Sequence, residues 1–283
     1  MSGSQRAGIA SFAPEEFALL HNACENAGYR PVLYVHTGAL RPNKPADDSA
    51  PGTVGQLVRA VPPGVGLALP GTSAELAPLF TAYRLDLLVV YGFNWRVPRD
   101  ARDALRHGAL NIHTSLLPRY RGPAPVLWSI RNGDQETGVT VHRMDDGFDT
   151  GPILAQVGGV QIEDDVTPDG LAERLRPAIG VALAQALDRF NRGEPGEPQP
   201  EQGASYAGFL EPEFRTVDWS RTARQVHDQV RVYRYIGTPD APVGVVDGHR
   251  VAIRRTSLTP GAGTRVECAD GPLWVVESAP ATE

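Results

Sequence analysis

The chain has 283 residues, which at roughly 150 residues per domain allows one large domain or a medium domain with a smaller one. Hydrophobic residues make up 41% and charged residues 21%, and the 30 Gly and 25 Pro follow no triplet period, so wholesale disorder and fibrous structure are excluded. The net charge is −6 and the 27 basic residues, 26 Arg and Lys44, form no run of five, so nothing in the charge argues for a nucleic-acid surface.

Residues 1–6 carry no basic segment leading into an apolar one, so no secretory signal is read there. Arg6 to Phe12 reads as a first strand. Pro14 then opens a helix whose face is marked by Phe17, Leu20, Cys24 and Ala27, and Gly28 stops it. Pro31 to Val35 is a second strand, and Thr37 to Gly52, with Arg41, Lys44, Asp47 and Asp48, is a polar loop. A short helix over Val54–Val61, a short strand over Gly66–Leu69 and a helix over Thr72–Tyr83, capped by Thr72 or Ser73, complete the alternation.

Leu85 to Tyr91 is apolar enough for a central strand buried on both faces. Even extended to Phe93 it is about half the ~18 residues of a membrane span, so a soluble cytoplasmic protein with no membrane partner is expected. The strand ends in Gly92-Phe-Asn-Trp95-Arg96-Val97-Pro98, an irregular segment where a doubly wound sheet holds its ligand. Ala109–His113, Gly138–Met144 and Ile153–Ile162 are further extended runs. Thr167-Pro168 starts a long helix to Phe190, in which Pro177 is expected to make a kink or a split. Gly193 to Pro200 is a linker by composition, placing a boundary near residue 200. Beyond it, a helix over Thr222–Tyr235 precedes short strands with Asp247-Gly248 and Asp270-Gly271 as hairpin turns. The fold class is therefore α/β: a doubly wound, Rossmann-like domain over residues 1–200 and a small β-rich domain over residues 201–283. Cys24 and Cys268 sit at opposite ends without metal-ligand spacing and are read as inert thiols.

The familiar nucleotide, ATP, zinc-protease and serine-hydrolase motifs are absent. One dense polar region remains, between Asn111 and Gly151. Asn111 and His113 lie two apart on a strand and so point to the same side, near its C-terminal end. An amide donor beside an imidazole suits chemistry in which negative charge develops on a carbonyl oxygen. Taken alone, N-x-H is also what a packed strand histidine gives. Asp145, Asp146 and Asp149 follow a buried run together with Gly147 and Gly151, and such a segment is either a surface turn or a loop that approaches a ligand closely. An aspartate beside a histidine favours the imidazolium, and the two segments together point to an acid/base site.

Three stretches closely resemble the 10-formyltetrahydrofolate-dependent formyltransferases, which include methionyl-tRNA, glycinamide ribonucleotide and sugar N-formyltransferases. They are Asn111-Ile-His-Thr-Ser-Leu-Leu-Pro-Arg-Tyr-Arg-Gly-Pro-Ala-Pro125, Asn132-Gly-Asp-Gln-Glu-Thr-Gly-Val-Thr-Val141 and Met144-Asp-Asp-Gly-Phe-Asp-Thr-Gly-Pro-Ile-Leu154. The resemblance is specific over residues 85–155 and resumes at Ser205-Tyr-Ala and Asp218-Trp-Ser220. It implies a folate-dependent transferase whose catalytic residues are Asn111, His113 and Asp149 and whose co-substrate is 10-formyltetrahydrofolate, with no metal needed. Trp95, Arg96 and Val97 are implied as one side of the folate pocket and Asp145, Asp146, Gly147 and Phe148 as the other. Tyr120 and Arg121 resemble the rim between folate and acceptor.

Three departures from the family pattern stand out, the last two of which bear on the acceptor. Thr114 replaces the proline usual after the catalytic His, and the loop Thr37–Gly52 lacks the longer basic insertion of the tRNA-acting members. The C-terminal region resembles a shortened form of their barrel-like domain and holds nine Arg against eleven Asp and Glu, whereas tRNA phosphates favour a basic surface. A small-molecule amine, such as an amino sugar on a nucleotide carrier, is therefore preferred as acceptor. The alternatives are methionyl-tRNA, water in a formyltetrahydrofolate hydrolase, and a folate-binding module without activity. Oligomeric state is open, a homodimer through exposed β-edges being one possibility.

Overall fold

The computed structural model describes residues 4–12, 14–37, 50–237 and 241–281. Arg41, Lys44, Asp47 and Asp48 of the expected polar loop lie outside them. The first part alternates strand and helix as expected: β1 (Gln5–Ser11), α1 (Glu16–Asn26), β2 (Tyr29–Val35), α2 (Ala50–Ala60), β3 (Gly66–Ala68), α3 (Leu76–Tyr83), β4 (Leu87–Tyr91), α4 (Arg99–Asp103) and β5 (Gly108–His113). A 3-10 turn over Ser73–Glu75 leads into α3, and the Glu75 carboxylate accepts the backbone N–H of Thr72 at 3.0 Å, closing the start of the helix. There follow α5 (Pro125–Arg131), β6 (Glu136–Arg143), β7 (Ile153–Gln161), α6 (Pro168–Asn191), α7 (Ala223–Ile236), β8 (Val243–Val246), β9 (His249–Ser257), β10 (Thr264–Cys268) and β11 (Gly271–Pro280).

Seven strands form one sheet in the order β3-β2-β1-β4-β5-β6-β7. The pairs β1–β2, β2–β3, β1–β4 and β4–β5 are parallel, while β6 runs antiparallel to β5. The chain winds outward from β1 through β3 and then returns to the other side of β1 as β4, so the order reverses between these two strands. Their C-terminal ends carry Ser11-Phe12 and Gly92–Pro98, where a crevice outside the sheet is expected in this topology. Leu87, Leu88 and Val89 are fully buried because β4 is covered on both faces, which explains its unbroken apolar run.

Helix α6 is continuous from Pro168 to Asn191 and is not split at Pro177 as the sequence suggests. The proline removes the one bond its own N–H would make to the turn before it. Buried Leu171 and Leu175 on one side and Ile179, Ala182 and Leu183 on the other hold the flanking turns.

By contacts the chain divides into two compact units, and not by a single cut. The first comprises residues 1–118, 139–157 and 177–204; the second comprises residues 119–138, 158–176 and 205–283. The last of these cuts falls between residues 204 and 205, and residues 119–138 and 158–176 join the second unit as well. In the first unit a core of Val32, Leu33, Val35, Leu76, Phe80, Leu88 and Val90 lies between sheet and helices. Cys24 is fully buried there, and burial pushes its thiol up to about 12.

In the second unit the antiparallel sheet β10-β11-β9-β8 packs against α7 through Val226, Val230, Val246, Ile253, Leu273 and Val275. Asp247 (φ 49°) and Gly248 (φ 77°) form the turn between β8 and β9, both in the left-handed region that such a two-residue hairpin demands. Helix α7 also carries Arg231, 1% exposed, whose guanidinium meets Asp228 at 2.7 Å and donates to the carbonyls of Glu163 and Asp164 at 2.7 and 3.0 Å. Asp228 receives Arg224 as well, at 3.0 Å. That buried network ties residues 163–164 to α7 inside this unit. Among the described residues no helix is long and apolar enough to cross a membrane.

Candidate active site

β5 ends in Asn111-Ile-His113, and the alternation of the strand turns Ile112 to the opposite face. The antiparallel register of β6 sets Asn111 opposite His142 and His113 opposite Thr140. Directly opposed residues share a face, so four polar side chains from two strands meet on one side of the sheet. The turn after β6 then brings in Asp149, whose Oδ1 accepts from Asn111 Nδ2 at 2.9 Å. The other oxygen, Oδ2, lies 3.7 Å from His113 Nδ1, an ion pair once the ring is protonated. Asn111, His113 and Asp149 are thus brought together by the fold, with His113 7% and Asp149 16% exposed at the side chain.

His142 is the member that sequence reasoning missed. It is 2% exposed, and its Nδ1 lies 2.8 Å from the carbonyl of Arg143. A carbonyl only accepts, so Nδ1 carries a hydrogen. Its Nε2 lies 3.2 Å from Asn111 Nδ2 and 3.4 Å from Asp149 Oδ1. Asn111 Nδ2 is thereby placed between Asp149 and His142. The signal in the sequence was the polar pair Thr140 and His142 at alternate positions of an otherwise apolar run.

Asp149 sits at φ 55°, a left-handed conformation that costs an L-residue about 1–2 kcal/mol, less for Asp, and that persists where the surroundings enforce it. Gly151 is part of that enforcement: a Cβ there would fall 1.8 Å from the Arg143 carbonyl oxygen. Gln199 donates through Nε2 to the carbonyls of Asp149 and Gly151, each at 2.8 Å.

The two segments expected to hold folate also meet. Trp95 and Val97 are buried, 5% and 1% exposed, whereas Arg96 is exposed and its guanidinium donates to the carbonyl of Asp146. Arg96 lies over the Phe148 ring at 5.1 Å, and Arg102 and Arg99 reach the Asp146 carboxylate, the latter at 3.6 Å. Those arginines hold the Asp146 carboxyl below its usual range, chiefly through the hydrogen bond from Arg102. Asp145 instead closes its own turn, accepting from the Gly147 N–H at 3.0 Å and the Thr150 hydroxyl at 2.8 Å. Trp95 Nε1 is buried and has no hydrogen-bond partner among the described residues, an uncommon state for an indole donor.

Tyr120 and Arg121 belong to the second unit. The Tyr120 ring is 5% exposed, and its hydroxyl donates to Asp134 at 2.8 Å and accepts from Asn132 at 3.0 Å. Its phenol is therefore a packing anchor of that unit. Arg121 pairs through its backbone with Ser205 and Ala207 and is partly exposed. Among the described residues no three His, Cys, Asp or Glu side chains are grouped as a metal ion would require.

A family model described as formyl transferase matches residues 69–187, which span β4 to β7 and all three residues Asn111, His113 and Asp149. The chain is 37% identical over 206 residues to a methionyl-tRNA formyltransferase of Pelobacter propionicus, covering 68% of this chain and 63% of that protein. It is 36% identical over 224 residues to one from a Janthinobacterium species, covering 74% of this chain and 69% of that protein. The aligned regions thus span about two thirds of these relatives. In three dimensions the chain is similar to WlaRD, a sugar 3N-formyl transferase solved in the presence of dTDP and 5-N-formyl-THF. The TM-score is 0.69 with 16% sequence identity, covering 99% of this chain and 100% of that one, a likeness of fold. By sequence, this chain belongs to the formyltransferase family.

Proposed function

We propose that the protein transfers the formyl group of 10-formyltetrahydrofolate to the amine of a small-molecule acceptor, an amino sugar on a nucleotide carrier or a metabolite amine. The observation that carries this reading is the convergence of Asn111, His113 and Asp149 at the end of β5. Attack of a neutral amine on the formyl carbon puts negative charge on the formyl oxygen. The Asn111 amide and a protonated His113 are the groups that stabilise it, and the Asp149 carboxylate holds the imidazolium in place. Collapse of the adduct returns the electron pair to N10, which needs a proton; His113 is the donor within reach of that chemistry. Asp149 also serves to take up the proton lost by the amine, directly or through water.

Trp95, Arg96 and Val97 with the Asp145–Phe148 turn form the cradle assigned to the folate. The unpartnered Trp95 Nε1–H supports that assignment, since a pteridine offers acceptors that a dry apolar wall does not. For the acceptor, the balance of nine Arg to eleven acidic residues beyond residue 200 favours a small amine over a polyanion. The relatives described as methionyl-tRNA formyltransferases favour the second reading, charged initiator tRNA.

One experiment separates these outcomes: tetrahydrofolate release from 10-formyltetrahydrofolate, measured without acceptor and with pools of sugar nucleotides bearing amines, amino acids or charged tRNA. Release that depends on the sugar-nucleotide or small-amine pool supports the proposal, and release that depends only on charged tRNA assigns the second reading. Equal release without any acceptor would make the protein a hydrolase. His113→Ala is expected to abolish release while leaving folate binding intact.

A further inference from the structure

The segment after α6 reads as a linker by composition, yet it is stitched to the first unit along its length. Arg143 donates to the carbonyls of Glu194 and Pro195 at 2.7 and 3.0 Å. Ile153 and Glu197 exchange a reciprocal pair of backbone hydrogen bonds, both 2.8 Å. Arg189, from the last turns of α6, reaches the Glu194 carboxylate at 2.6 Å and the Glu197 carboxylate at 3.2 Å. The last stitch is Gln199, whose amide donates to the carbonyls of Asp149 and Gly151. One side chain thus grips the turn on both sides of Thr150, at the residue whose backbone is in the left-handed region.

We propose that Gln199 is a positioning residue for formyl transfer: by holding the two carbonyls of this turn it keeps the Asp149 carboxylate between Asn111 and His113. The inference rests on the reading that Asp149 serves the reaction. Asn111, His113 and His142 have their places fixed by strand register, because β5 and β6 are paired over these residues. Asp149 has no such support. Its carboxylate is carried by a turn, and rotation about that backbone moves Oδ1 and Oδ2 away from both partners at once. Two converging hydrogen bonds from a single NH2 group oppose this rotation, and a carboxylate in their place repels both carbonyls.

The test is a cycle in the full chain combining Gln199→Leu, Gln199→Glu and Gln199→Lys with Asp149→Asn, read by tetrahydrofolate release and by thermal unfolding. Gln199→Leu and Gln199→Glu are expected to lower kcat by about 10- to 100-fold with KM for the formyl folate within about threefold of wild type. Gln199→Lys keeps an N–H donor and is expected to recover most of that loss. In the Asp149→Asn background the same changes are expected to cost less than about threefold more, because Gln199 acts through Asp149. Equal losses in both backgrounds would make Gln199 a merely structural residue and overturn the proposal, as would wild-type kcat in Gln199→Glu. Full activity in Asp149→Asn alone would instead overturn the role of Asp149 itself, so the two failures are distinguishable.

Discussion

Replacement of Asp149 by Asn removes one charge and almost no volume. His113 Nδ1 and Asp149 Oδ2 are 3.7 Å apart and both side chains are largely buried. At an effective dielectric of about 20, two unit charges at this distance attract by about 4–5 kcal/mol. In the proposed reaction the imidazolium is needed when the formyl oxygen becomes negative, so most of this attraction is lost from the transition state. Each 1.4 kcal/mol is tenfold in rate, which sets a ceiling of about 10³; relaxation of the turn and water entry lower it, and a fall in kcat of about 10²- to 10³-fold is expected. The asparagine can keep its oxygen toward Asn111 Nδ2, now 2.9 Å from Asp149 Oδ1, so the local hydrogen bond survives. KM for the formyl folate is therefore expected within about threefold of wild type. Steady-state release of tetrahydrofolate, followed spectroscopically at saturating acceptor, measures both constants. A variant with kcat within threefold of wild type would refute the electrostatic account.

Three further predictions follow from buried groups. His142→Phe removes the ring nitrogen 3.2 Å from Asn111 Nδ2 and is expected to lower kcat about tenfold, from the 1–3 kcal/mol typical of a buried polar group that loses its partner, whereas His142→Gln, which keeps a polar partner, recovers part of it; the same kinetic assay checks both. Arg231→Met strips Asp228 of its 2.7 Å partner in an environment only 1–2% exposed and is expected to cost about 3–5 kcal/mol in urea unfolding, less when combined with Asp228→Leu. Burial lowers the His227 imidazole from 6.5 to about 4. The unfolded chain therefore binds a proton between these values that the folded chain refuses, so stability falls as pH drops from 6.5 to 4. The contribution is about 3 kcal/mol, and His227→Gln is expected to flatten that part of the pH–stability curve measured by denaturant unfolding.

The sequence makes the strand-borne half of the site legible. Asn111 and His113 are two apart on a short apolar run, and period-two geometry is enough to put them on one face. Asp149 is legible only through resemblance, because nothing local marks which of three nearby carboxylates turns inward. In the structure Asp145 closes its own turn, Asp146 is taken by Arg99 and Arg102, and Asp149 is left for His113. His142 depends on the pairing of β6 with β5, and a strand read as buried gives no register and no direction for its partner. The surroundings of Tyr120 are hidden for the same reason: exposure at a rim is a tertiary property, and Asn132 and Asp134, twelve and fourteen positions away, hold its hydroxyl.

What remains least legible is the support of the turn. Gln199 lies fifty residues from Asp149 in a stretch rich in Gly, Pro and Glu, where composition correctly indicates irregular backbone but says nothing about where that backbone is tied. The physical reason such support is needed is that hydrogen-bonded strands position side chains to within fractions of an ångström by register, whereas a turn has its own soft dihedrals. A site that draws two strand residues and one turn residue into a single hydrogen-bonded cluster must therefore take its rigidity for the third from outside the sheet. Here Gly151 wedged against the Arg143 carbonyl and Gln199 bonded across the turn are two contacts placed to provide it, one by excluding a Cβ and the other by bonding both carbonyls.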